Sequence, residues 1–128
     1  MIIYEKNSDF NFDNTRNIII ESLSEYGFSV LFEMNFKDKF KEKGIPFNKD
    51  IKILEICNPI LAKGFLEADL NASYLLPCKL VITDTGTGVK VGMKLPTELV
   101  KDLNSEVIKE YARRVEENLK DAIRVISV

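Results

Sequence analysis

Apolar and polar positions along this chain follow two rhythms, one of period two and one near 3.6, and each switch between them marks a change of element. Residues 2 to 6, "IIYEK", are short and β-branched, which predicts an opening strand. Over 12 to 26 the apolar positions Phe12, Ile19, Leu23 and Tyr26 keep helical spacing, with Asn11 placed to cap the first turn and Gly27 to stop the last. "FSVLFEMN" alternates Phe28, Val30, Phe32 and Met34 against Ser29, Glu33 and Asn35, the pattern of a half-buried strand, with Leu31 as the exception. Phe36 and Phe40 stand four apart before Gly44, so a short amphipathic helix is expected to lie over the core there.

Farther along, "IKILEIC" (51 to 57) is apolar on both faces apart from Lys52 and Glu55, which predicts an interior strand covered on two sides or nearly so. Asn58 and Pro59 then supply a cap and a first helical residue for a helix over 59 to 68, because proline lacks only an N–H that the first turn leaves unpaired. "CKLVITD" sets Cys78, Leu80 and Ile82 against Lys79, Val81 and Thr83, and "VKVGMKL" answers with Val89, Val91 and Met93. The intervening "DTGTG" has the composition of a hairpin turn, so these strands should pair antiparallel. Pro96 opens a short helix. Asn104 or Ser105 caps the last one, whose apolar stripe is Ile108, Tyr111, Ala112, Val115, Leu119, Ala122, Ile123 and Ile126. The order β-α-β-α-β-α-β-β-α predicts an α+β, two-layer α/β sandwich: a mixed sheet with helices packed on it.

A length of 128 residues suits one compact domain spanning 1–128, and 45% hydrophobic with 30% charged residues is a globular balance. Eighteen basic against twenty acidic residues leave a net charge of -2, which offers no general attraction to nucleic acid or to anionic lipid. The lysines at 37, 39, 41 and 43 are interleaved with Asp38 and Glu42 and read as a solvated helix face. With no signal-like or membrane-spanning apolar run, the expected location is the cytoplasm, where thiols stay reduced.

The chain contains no histidine, which removes Ser-His-Asp and Cys-His mechanisms and ordinary histidine-ligated zinc hydrolysis together. Gly86, Gly88 and Gly92 fit neither the dinucleotide nor the P-loop spacing and lie between strands. What survives is the pair Cys57 and Cys78. Cys57 stands just ahead of a helix N-terminus, where the dipole favours a thiolate; yet free cysteine is also a small apolar core residue, and both positions fall on strand faces expected to point inward. If the two strands run parallel in a β-α-β crossover, the thiols lie about 17–20 Å apart. If "LNASYLLP" carries the chain back first, the strands run antiparallel and both sulfurs sit at one end. Two thiolates would still be an incomplete structural zinc site, so no metal and no catalytic residue is assigned, and the sequence identifies no cofactor.

The blocks "EYGFSVLFEMNF", "KFKEKGI", "KILEICNPILAKGFLEAD" and "LLPCKLVI" resemble the successive blocks of the domain-of-unknown-function 302 (DUF302) family, over nearly the whole chain. The most specific pieces are Cys57-Asn58-Pro59 followed by Ala62, and Leu75-Leu76-Pro77-Cys78. The resemblance implies a two-layer α/β domain that forms homodimers and has no established activity. It also draws attention to a corner where Cys57 and Cys78 form a candidate thiol site and Asn58, Pro59, Ala62, Leu76 and Pro77 a candidate pocket. Two functions follow as expectations: a non-enzymatic homodimeric module binding a small molecule or a partner, and a thiol protein working in redox, sulfur transfer or soft-metal binding.

Overall fold

A computed structural model describes residues 2–128. Its elements in chain order are β1 (Ile3–Ser8), α1 (Phe12–Glu25), β2 (Ser29–Asn35), α2 (Phe36–Glu42), β3 (Ile51–Cys57), α3 (Pro59–Ala68), β4 (Cys78–Asp84), β5 (Val89–Lys94), α4 (Pro96–Leu99) and α5 (Glu106–Ile123). Short 3-10 segments cover Leu70–Tyr74 and Arg124–Ile126.

Local chemistry sets the helix boundaries. Asn11, Asn58 and Ser105 each accept a backbone N–H of the first turn, from Asn14, Leu61 and Ile108 respectively. Gly27 ends α1 at φ +82°, a conformation that favours a residue without Cβ. On α5 the residues Ile108, Ala112, Val115, Leu119, Ala122 and Ile123 are all buried, as the stripe predicts, while Tyr111 is half-buried against Phe65.

The strands form one sheet in the order β1-β5-β4-β3-β2, and every neighbouring pair is antiparallel. This corrects the expected mixed sheet. The chain leaves β3 at Cys57, descends α3, and returns through the 3-10 segment so that β4 starts where β3 ended, with Ile56 opposite Cys78. A parallel crossover would have needed β4 to start at the other end.

The core lies between the sheet and the layer of α1, α3 and α5. Leu54, Ile56, Leu80, Ile82, Val91 and Met93 face it from the strands and Ile19, Leu23, Phe65 and Leu119 from the helices. The alternate strand positions, among them Ile51, Ile53, Val81 and Gly92, lie on the opposite face, which no helix of this layer covers. β3 is therefore interior in the sheet but covered on one side, not two.

Two further expectations change at β2. A bulge between Val30 and Phe32 leaves Leu31 without a partner and reverses the phase of the strand. Val30 packs on the core, but Phe32 pairs with Glu55 and Met34 with Ile53, on the open face, so the four alternating apolar residues do not share one side. The same reversal turns Glu33 toward α1. There Arg16 donates from Nε and Nη2 to the two carboxylate oxygens at 2.8 Å each, and Lys52 Nζ approaches at 3.1 Å. The Arg16 hydrogen bonds, reinforced by Lys52, hold the Glu33 carboxyl at about 2 against the opposing effect of burial. α2, in turn, does not lie over the core. None of its residues is buried, and Phe36, Phe40 and Phe47 form a separate aromatic cluster at ring separations of 5.7 and 5.1 Å.

Candidate functional site

The antiparallel register of β3 and β4 brings the two cysteines to the same end of neighbouring strands. Their side chains belong to different faces. Cys78 is in phase with Leu80 and Ile82 and packs against the core, whereas Cys57 is in phase with Glu55 and Ile53, opposite to the buried Ile56. The expectation that both point inward is thus corrected for Cys57, and both residues are half-buried. The strand ends one residue earlier in its inward phase than the sequence pattern suggests.

The rest of the corner is built by the turn into α3. Asn58 accepts from the Leu61 N–H at 3.2 Å and donates from Nδ2 to the Tyr26 carbonyl at 3.3 Å, tying the start of α3 to the end of α1. Gly27 faces this amide, and a Cβ there would lie 3.0 Å from Asn58 Nδ2. Asn58, Ala62, Leu76 and Pro77 do gather around Cys57 and Cys78, but they enclose a cavity of only ≈ 10 Å³. That is about the minimum that admits one water. Pro59 stands apart, on a shallow depression beside Lys63 and Leu66. Burial, and secondarily the neighbouring Cys57, push the Cys78 thiol up to about 11, so it stays protonated at neutral pH. Among the described residues no group of three or more Cys, Asp or Glu side chains stands together as a metal site would require.

A hollow of ≈ 500 Å³, more enclosed than the depression at Pro59, lies on the open face of the sheet. Its floor is Gly92 on β5 and Val81 on β4, which are direct cross-strand partners. At Gly92 a Cβ would lie 3.1 Å from Glu5 Cγ and 3.3 Å from the Tyr4 carbonyl oxygen, so glycine relieves crowding against β1 at this floor. One end is walled by Tyr74, Leu75 and Pro77 from the connection before β4 and by Pro96 and Leu99 of α4. Around the floor stand Lys79, Lys90 and Lys94 with Glu5 and Glu55, and Lys90 pairs with Glu5 at 2.9 Å. Cys78 and Pro77 line both hollows, so the corner singled out in the sequence adjoins this groove. The groove itself was missed. Its residues come from four strands, β1, β3, β4 and β5, that mix apolar and charged side chains, and only the strand order places Gly92 beside Val81 and Glu5.

No helix of the described residues is long and apolar enough to cross a membrane. No curated protein matches the chain. The crystal structure of an uncharacterized conserved DUF302 protein from Bacillus stearothermophilus is similar to it, at 35% sequence identity and a TM-score of 0.93, covering 98% of each chain. The family described as "Domain of unknown function DUF302" matches residues 4–126, and with the sheet order and the Cys-Asn-Pro and Leu-Pro-Cys corners in place, the chain belongs to the DUF302 family.

Proposed function

We propose that residues 1–128 act as one non-enzymatic binding domain, cytoplasmic and homodimeric, and that its small-molecule site is the groove on the open face of the sheet. The observation that carries this reading is the ≈ 500 Å³ hollow with an apolar floor and charged rim, within the range of small-molecule pockets. The cavity at the cysteines is too small for such a role. Pairing of two copies is supported by the exposed apolar side chains Leu31 and Phe32 on the edge strand β2.

Titration of the ¹⁵N-labelled protein with 8-anilinonaphthalene-1-sulfonate tests the site. Saturable shifts of the Val81 and Gly92 amides are expected; shifts confined to Cys57 and Asn58, or none, would overturn the assignment. Light scattering of the purified protein tests the dimer, which requires twice the 14.6 kDa chain mass.

The adjacency of Cys57 and Cys78 favours a second reading, thiol-based redox, sulfur-transfer or soft-metal function. A thiol held near 11 is a poor nucleophile at neutral pH, which leaves Cys57 alone to carry that chemistry. Native-state alkylation followed residue by residue decides it, and rapid modification of both cysteines at pH 8 would restore the thiol reading.

A further inference from the structure

The charges around the groove are unevenly matched. Three lysines, Lys79, Lys90 and Lys94, face two carboxylates, Glu5 and Glu55, in a chain whose overall charge is -2. Lys90 is committed to Glu5 at 2.9 Å. Lys79 stands opposite Glu55 and Lys94 opposite Ile3, yet among the described residues neither lysine forms an ion pair.

The register makes this more pointed. The pairing of β4 with β5 ends at Val81 and Gly92, and Lys79 and Lys94, each two residues farther along and so on the same face as those two, both line the groove. Two cations lining one hollow without a carboxylate in ion-pair contact repel each other. An anion between them removes the repulsion and gains two charge-assisted hydrogen bonds. The pair sits at the walled end, next to the exposed ring of Tyr74 and the side chain of Leu99, so a ligand held there by its charge has apolar surface within reach.

We infer that the groove takes a small amphipathic monoanion, its acid group held between Lys79 and Lys94 and its apolar body lying on Gly92 and Val81 against Tyr74 and Leu99. This rests on the groove being the binding site proposed above. The single net positive charge of the lining matches one negative charge on the ligand, and the apolar floor selects an acid with a hydrocarbon or aromatic body over a bare inorganic anion.

Two probes that share a naphthyl and phenyl framework separate the site from its charge preference: 8-anilinonaphthalene-1-sulfonate, and N-phenyl-1-naphthylamine, which lacks the sulfonate. Binding is followed by fluorescence and located by amide shifts at Val81 and Gly92, in the unmodified protein and in Lys94→Glu and Lys94→Gln. The sulfonate is expected to bind about tenfold more tightly than the neutral probe. Lys94→Glu should weaken the sulfonate by about tenfold, Lys94→Gln by less, and neither should change the neutral probe, while raised salt weakens only the sulfonate. Equal affinities for both probes, insensitive to Lys94, would overturn the anion preference and leave the site standing. Failure of both probes to shift Val81 and Gly92 would overturn both. Lys94 is exposed at the end of β5, so unchanged thermal midpoints confirm that each variant is folded.

Discussion

Cys78 shows how one residue's surroundings decide what it does. Its thiol is packed against the core beside Leu80 and pushed up to about 11, chiefly by burial, so only a trace is thiolate at pH 8. Alkylation of the native protein should therefore proceed at Cys78 roughly two orders of magnitude more slowly than at a free cysteine, and recover on unfolding. Mass spectrometry of the labelled peptides measures both rates. Glu33 is the opposite case, a carboxyl held at about 2 by Arg16 and then Lys52. Its folded pKa lies below its unfolded value, so the stabilisation is fully present above about pH 4.5 and is lost as the pH falls through about 2. With the three side chains partly solvated, the expected contribution is about 1 to 2 kcal/mol. Denaturant titrations should show Glu33→Gln less stable by that amount at pH 7, with the difference from the unmodified protein closing across that acid window. A difference that stays constant to pH 2 would contradict the ion pairs as its source.

At the scale of elements, α3 and α5 meet where Gly64 faces Tyr111. A Cβ built on Gly64 collides with the Tyr111 ring, its nearest contacts being ring carbons and the hydroxyl. In an isolated helix Gly→Ala is stabilising by about 1 kcal/mol, but here the clash should reverse the sign. Gly64→Ala is expected to cost about 1 to 3 kcal/mol by thermal or chemical unfolding, and a gain in stability would show that the helices are not in contact there. Asn58→Ala removes both the cap of α3 and the link to the Tyr26 carbonyl, at an expected cost of about 1 to 2 kcal/mol. The elements themselves were largely legible, because caps, glycine stops and the α5 stripe are local signals. The faces of the strands were less so. One extra residue at Leu31 reversed β2 while the sequence kept its apparent alternation, and Leu31's departure from the pattern was the available sign. Strand direction was hidden as well, since it depends on the length and path of the chain between α3 and β4. With direction and phase undetermined, the cysteine corner could be identified from its residues but the groove could not.

For the molecule as a whole, a sheet with helices on one side leaves its other face to be used or covered. That face carries Ile51, Ile53, Val81, Met34 and Phe32 together with the lysines and carboxylates of the groove, a mixture suited to an amphipathic ligand rather than to bulk water alone. The helical face, by contrast, is closed by its own core. Substitution at the groove floor should accordingly separate binding from stability: Val81→Glu is expected to abolish sulfonate-probe binding while lowering the unfolding midpoint only slightly, because Val81 lies outside the core cluster. The central claim is that ligands enter on the open side of the sheet, and a crystal structure of the protein with 8-anilinonaphthalene-1-sulfonate tests it most directly. Density for the probe over Gly92 and Val81, with its sulfonate between Lys79 and Lys94, is the predicted result; density at the Cys57 corner or on the helical layer, with the open face bare, would contradict it.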